Sequence, residues 1–461
     1  MLMAIYEELM GNPFVDAGVS AICEYLSSYD QIKEANEITI SDLDSIIKDL
    51  YLVFCSSAWS KNLYSIFPNN AVTNPANRKK DFQALLRSCW NELLNTVNEL
   101  GEFGDCAGCG RRSANVYLTK TDIPLTGSGE LLNFFPIFSP GVGYCSACAL
   151  AIQFAPLSFV ASGGKFLMVH SNCWKWQRVW ARECIRAIKS QILRKEITGC
   201  YNPGLANGRN SFFKMTDELM RRYNERWSRE NATIQVYYFT NYNQGPELDI
   251  YSLPTGAFRF LAYVHEKNYS SEWNKIVRKG YQKVNWDKIK SDDEDEYKNK
   301  SNLVYEWLLE GKSILSFFLN RPERQVRGNW DLVTLYLKEV HVMSESRLVT
   351  IKRVADSIAC SIKKSGNVKR LGQMERSVRY AEFRNVLLRI IRDRIDQGKE
   401  DPLFSIDEYM TELFPETDGE FMDWRETRDL LLFRIYETLH GWLKDQKDLP
   451  KIDEPEEGTE E

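Results

Sequence analysis

Apolar positions recur at helical intervals through the first hundred residues. Asn12-Pro13 reads as an N-cap followed by proline at the first helical position, and Val15, Val19, Ile22 and Leu26 then share one face. Ser41 with Asp44 predicts a capping box, and Leu43, Ile46, Ile47, Leu50 and Phe54 continue one face behind it. A third helix is expected near 79–100, with Phe82, Leu85, Leu86, Cys89, Leu93 and Val97 on its inner side. Residues 1–100 therefore read as a helical N-terminal part.

The pattern changes at Gly101. From there to Pro156, glycine, serine, proline and two cysteine pairs dominate, and no helical period persists. Leu157 to Ala161, a turn at Gly163-Gly164, and Phe166 to Val169 predict a hairpin. A strong helix is expected over 173–197 and another near 214–229. Alternation from Thr233 to Phe239 predicts a strand, and 249–263 one or two more. Ser291 to Glu296 is a dense acidic run that reads as a solvated loop or hinge. Beyond it, helices are expected at about 301–319, 330–343, 345–364, 370–397 and 421–446, with short connections that favour an antiparallel bundle. The fold class is α+β: a mixed N-terminal domain (1–100, 101–156 and 157–298, the last with a basic helix), a C-terminal helical bundle over 299–449, and an acidic, disordered tail over 450–461.

Two CxxC units give the chain its chemistry. Cys106-Ala-Gly-Cys109 and Cys145-Ser-Ala-Cys148 each place two thiols on one side of a small loop. Together they supply the four thiolates of a tetrahedral zinc site, with Zn–S near about 2.3 Å. Four protein ligands leave no open position, so the zinc is expected to be structural, and 101–156 becomes a zinc-binding segment. A redox dithiol is the competing reading, but a thioredoxin-like site needs one CxxC opening a helix in a βαβ context; unrelated buried cysteines are the other. Eleven cysteines is an odd count, and Cys23, Cys55 and Cys360 lie on apolar helical stripes as small buried hydrophobes.

Charge is segregated along the chain, although the net charge is only −5 across 461 residues. Residues 165–229 hold 14 Lys and Arg against 5 Asp and Glu, 345–400 hold 14 against 7, and 401–461 hold 6 against 19. Within the expected helix 173–197, Lys175, Arg178, Arg182, Arg186 and Lys189 fall on one stripe. Such a stripe suits phosphate contact; a solvated face or a contact with an acidic subunit is the plainer alternative. With 12 Trp, 22 Tyr and 23 Phe, aromatics are plentiful, and most are expected in the core.

The usual enzyme signatures are missing together. The four histidines, His170, His265, His341 and His440, form no HExxH and no His-Asp pair in the sequence. Gly311-Lys312-Ser313 lacks the upstream glycine of a phosphate loop, and Gly127-x-Gly129 and Gly141-x-Gly143 are incomplete dinucleotide fingerprints. A protein that is not an enzyme is expected. No apolar run long enough to span a membrane occurs, and Met1 to Met10 carries two acids and no Lys or Arg, the wrong flank for a secretory signal. The expected location is the cytoplasm, with no membrane partner.

Gly11-Asn-Pro-Phe-Val-Asp-Ala-Gly18, Cys106-x-x-Cys109-Gly110, and Phe134-Phe-Pro-Ile-Phe-Ser-Pro-Gly-Val-Gly-Tyr-Cys-Ser-Ala-Cys148 followed by Pro156-Leu157 together resemble the CxxC–CxxC large subunit of type I-B CRISPR Cascade. The resemblance implies a non-catalytic, RNA-guided antiviral-defence protein. Such a subunit recognises the protospacer-adjacent motif in double-stranded target DNA, assists unwinding, holds the displaced single strand and stabilises the R-loop. Its implied partners are guide RNA, Cascade backbone subunits, small-subunit-like helical bundles, and a helicase-nuclease or a transposition protein. Guide pairing would read sequence while the protein reads the short motif and the backbone. On this reading the basic stripe and the C-terminal cations Lys352, Arg353, Lys363 and Lys364 would track phosphates. Loop tips at Asn207-Gly208-Arg209-Asn210 and Gly163-Gly164-Lys165 would enter a groove, or be plain turns. The alternative is a zinc-knuckle nucleic-acid-processing enzyme, a nuclease.

Overall fold

Every residue from Val15 to Glu24 in α1 (Pro13–Leu26) is buried, so the helix runs through a core and does not lie on one. Asn12 caps it as the sequence predicts, its Oδ1 accepting from the backbone N–H groups of Phe14 and Val15. The computed structural model describes residues 4–446 apart from 29, 78, 100, 128–134, 136–137, 224–225, 243–244, 282–283, 285–296, 367, 418–419 and 422–423. The acidic run 291–296, the tail 450–461, Gly129 and the motif residues Phe134, Pro136 and Ile137 lie outside the described residues. Two units result: Met1–Glu225, Arg229–Thr255 and Asn285–Ser301 form one; Arg226–Ser228, Gly256–Val284 and Asn302–Glu461 form the other.

In the first unit, α2 (Ile40–Phe54) is capped by Thr39 with Asp42, two residues earlier than expected. Thr39 has extended backbone and can aim its hydroxyl at the N–H of Asp42, whereas Ser41 is already inside the first turn. Next come α3 (Ser57–Ile66) and α4 (Phe82–Asn95). An aromatic ladder joins these helices. The rings of Phe54 and Trp59 stack at 4.5 Å, Trp90 meets Phe54 at 5.3 Å, and Trp90 meets Phe154 at 5.0 Å. The last contact carries the ladder into the cysteine segment.

That segment is a short hairpin and a helix: β1 (Val116–Leu118), β2 (Val142–Tyr144) and α5 (Ser146–Phe154). The absence of a helical period over 101–156 was misleading for α5. All its residues except Gln153 are buried, and a helix enclosed on every side has no polar face to produce a period. The hairpin β3 (Val160–Ser162) and β4 (Lys165–Ser171) follows in the expected place, with Ser162 opposite Lys165. Then come α6 (Trp174–Arg194), α7 (Gly208–Arg222), β5 (Ile234–Tyr242) and β6 (Gly245–Leu253). The antiparallel sheet has the order β3-β4-β5-β6.

In the second unit, α8 (Thr255–Glu266) replaces the strand expected up to 263, and α9 (Ser270–Lys279) follows. Both cluster with the C-terminal helices, although the sequence division falls at 299. The cause is apolar: Phe260 meets Trp273 at 5.3 Å and Tyr336 at 5.4 Å. The remaining helices are α10 (Leu303–Glu310), α11 (Leu315–Phe318), α12 (Trp330–Val340), α13 (Glu345–Ser365), α14 (Lys369–Glu375), α15 (Tyr380–Asp396), α16 (Ile406–Glu408) and α17 (Trp424–Lys444). The expected helix 370–397 is two. The central pair, α13 and α17, runs parallel, not antiparallel: Arg347 reaches Glu426 at 3.3 Å and, further along both helices, Asp356 takes Arg434 at 2.7 Å. Three helices separate them in sequence, which frees them from the hairpin rule. No helix among the described residues is long and apolar enough to cross a membrane.

His341 gives this unit a pH dependence. Burial holds its imidazole below the ordinary value, with Nε2 2.7 Å from Tyr336 Oη. A lowered folded pKa leaves its stabilisation intact above the unfolded value, about 6.5, and removes it as pH falls through the folded value. Urea melts at pH 7.5 and 5.5 should therefore show a larger acid loss for the wild type than for His341→Gln; equal losses would contradict this.

Candidate metal centre

Cys106 and Cys109 sit in a tight knuckle closed by an Asp105–Ser113 bridge. The N–H of Cys106 donates to Arg112 O at 2.9 Å and that of Gly110 to Cys106 O at 2.8 Å. Gly110 has φ +60, the left-handed region that suits glycine. Gly108 is small for another reason: a Cβ there would lie 2.9 Å from Cys148 Cβ and 3.0 Å from its Sγ. Cys145 caps α5 and Cys148 stands in its first turn, where the helix dipole favours thiolate. The β1–β2 pairing and a 2.9 Å bond from Ala107 N to Gly143 O bring knuckle and helix together.

The four sulfurs lie within 4.8 Å of one another. A tetrahedral zinc with Zn–S near 2.3 Å separates its sulfurs by roughly 3.8 Å, so the cluster fits a metal ion such as zinc. Cys106, Cys145 and Cys148 are buried and Cys109 half-buried. The N–H groups of Gly108 and Cys145 donate to Cys106 Sγ at 3.3 and 3.1 Å. The bond with Cys109 pushes the Cys106 thiol up, but those from Cys145 and Cys148 outweigh it and leave it lowered to about 6. Cys109 is held low by bonds from Cys106, then Cys145 and Cys148. Cys145 and Cys148 are both pushed up, first through Cys106 and then through Cys109. Four thiols this close share their protons; a divalent cation would let all four ionise.

The opening segment of the chain clasps this site. Tyr6 Oη donates to Ala147 O at 2.9 Å, Arg112 donates to Ala4 O at 2.7 Å and Val97 O at 2.9 Å, and Arg111 pairs with Glu7. Asn12 Nδ2 donates to Tyr144 Oη at 3.3 Å. A Cβ on Gly18 would fall 1.9 Å from Ala151 O, so only glycine lets α1 cross α5 this closely. Buried Asp16 accepts from the N–H groups of Met10 and Gly11 and sits 2.9 Å from His170 Nε2. The sequence shows no His-Asp pair because 154 residues separate the two. The positions of the Gly11–Gly18 motif are thus structural partners of the cysteine segment.

The expected basic stripe on α6 turns largely inward. Arg178 is 6% exposed, with Nε 2.7 Å from Glu24 and Nη1 2.8 Å from Glu34. Arg182 Nε lies 2.7 Å from the other Glu24 oxygen, and Lys189 donates to Tyr25 O at 2.7 Å. These three are therefore corrected from a phosphate-facing row to an internal network against α1. Glu24 is buried, and an isolated buried carboxylate would be costly. Lys175 and Arg186 are exposed, near Glu230 and Glu183.

The expected tip at 207–210 is the start of α7. Asn207 is its N-cap, Arg209 covers the Tyr251 ring at 4.8 Å, and buried Asn210 donates to Lys298 O and Lys300 O. Gly163 and Gly164, with φ +56 and +80, make a hairpin turn, and Lys165 pairs with Glu247 at 2.6 Å. On α13, Lys363 and Lys364 are exposed in the last turn. Arg353 pairs with Glu408 at 2.7 Å, and Lys352 lines a cleft with Asp356, Arg394 and Lys399.

Neither a curated protein nor a solved structure matches the chain. Residues 100–160, which contain all four clustered cysteines, match the family model described as CRISPR-associated protein (Cas_CXXC_CXXC), and through this segment the chain is similar to that CRISPR-associated family.

Proposed function

We propose that the chain is the large, non-catalytic subunit of a type I-B CRISPR Cascade surveillance complex, acting in the cytoplasm. The observation that carries this reading is the packing of the Gly11–Gly18 motif on α5, where Asn12 bonds Tyr144 and Gly18 admits Ala151. Two distant motifs of one resemblance thus form a single structural piece, inside which lies the segment that matches the CRISPR-associated family. Zinc held by Cys106, Cys109, Cys145 and Cys148 braces that piece; four thiolates leave no position for water or substrate, so the ion is structural.

In this role the protein recognises the protospacer-adjacent motif, assists duplex unwinding, stabilises the R-loop and docks the helicase-nuclease or a transposition protein, while guide RNA reads sequence. Lys175, Arg186, Lys363 and Lys364 are the exposed cations of the expected set best placed to meet phosphates. Co-expression with guide RNA and backbone subunits tests the proposal. A tag on this chain should recover the RNA and the backbone in one particle. Failure to join any such assembly would reject it, and metal-dependent DNA cleavage by the purified chain, lost on changing one carboxylate, would replace it with a nuclease.

A further inference from the structure

Among the described residues of the first unit, two tyrosines stand exposed. Tyr64 on α3 and Tyr242 at the end of β5 are 44% and 42% exposed, while the neighbouring Trp59 and Trp90 are fully buried. Their ring centroids lie 6.0 Å apart at 52°. They line a concavity of about 560 Å³ together with Lys61, Asn74, Pro75 and Phe82.

The walls are fixed by hydrogen bonds. Asn70 Oδ1 accepts from the N–H groups of Val72 and Thr73 at 2.9 and 2.8 Å. Thr73 Oγ1 donates to Phe67 O at 3.2 Å, and Asn241 Nδ2 ties β5 to Ile66 O at 3.0 Å. Asn74 spends its Oδ1 on Ala76 N, and its Nδ2 donor has no partner among the described residues. The side-chain ammonium of Lys61 likewise has none among the described residues, nor do those of exposed Lys79 and Lys80, which stand between the lining residues Pro75 and Phe82 in the chain. Aromatic faces, an amide donor and the cation Lys61 in one lining suit one chemical class, a base joined to phosphates.

We propose that this concavity is a subsite for an unpaired nucleobase of a single-stranded nucleic acid, stacked against Tyr64 and Tyr242, with Lys61, Lys79 and Lys80 on the flanking phosphates. The proposal deepens the function proposed above and rests on it. Stacking on an aromatic face tolerates any base, so the subsite grips a strand without reading its sequence.

The test uses the full purified chain with a fluorescent ten-nucleotide oligothymidylate and an abasic strand of the same length. The wild type should prefer the strand that carries bases. Tyr64→Ala and Tyr242→Ala should each weaken that binding by roughly 5- to 100-fold and leave the abasic strand unaffected, and Tyr64→Phe should bind as the wild type does. Lys61→Ala should weaken both strands, by less as salt rises. Should an alanine variant fail to fold, photocrosslinking of a 5-iodouracil strand to the wild type decides, with Tyr64 or Tyr242 as the expected site. Equal binding of the two strands, binding of neither, or crosslinks only elsewhere would overturn the subsite. Assembly with guide RNA is read separately, so a chain that assembles but shows no base preference loses only this subsite.

Discussion

Replacing Cys148 by serine should release the metal and collapse the centre of the first unit. Cys148 is fully buried in the first turn of α5, and a hydroxyl there is a poor zinc ligand. The knuckle around Cys106 and Cys109 is a short turn, and on the proposed reading zinc would brace it. Structural zinc sites carry roughly 10–16 kcal/mol of apparent binding free energy, and most of that would be lost. The damage spreads because α5 packs on α1 through Gly18 and Ala151, and on α4 through Trp90 and Phe154. Thermal melts by circular dichroism with zinc analysis on the same sample check this. Cys360→Ser, at an exposed position, is the control; a Cys148→Ser protein that melts like the control would refute the role given to the site.

Glu24→Gln should be the next most damaging change, at about 3–5 kcal/mol, the cost of breaking a buried ion pair from one side. Both oxygens of Glu24 are engaged, one by Arg178 and the other by Arg182, each at 2.7 Å. Desolvation pushes Arg178 down, but Glu24 and then Cys23 and Glu34 hold it above its ordinary value. The amide of glutamine cannot compensate two guanidinium groups. Urea denaturation measures the effect, and a loss under about 1 kcal/mol would show that solvent screens the network. Arg178→Glu with Arg182→Glu, which the basic stripe suggests as a probe of DNA binding, would for the same reason unfold the protein first.

The cysteine cluster was legible because CxxC spacing is a local constraint and survives any fold that brings two such loops together. The hairpin at 160–171 and most C-terminal helices were legible because each has one wet face. Helix α5 was hidden because it has none. Inward use of Arg178, Arg182 and Lys189 could not be read from α6 alone, since the deciding carboxylate, Glu24, lies on α1. One signal did exist: a glutamate among the apolar residues of α1 needs a cation. The Asp16–His170 pair and the Tyr64–Tyr242 concavity depend on contacts across more than a hundred residues, which no local pattern encodes.

Zinc K-edge X-ray absorption on the purified chain tests the metal centre most directly. The account predicts one zinc per chain surrounded by four sulfurs at about 2.3 Å, with no nitrogen or oxygen neighbour. A folded chain without bound metal, or a zinc with mixed or open coordination, would contradict it.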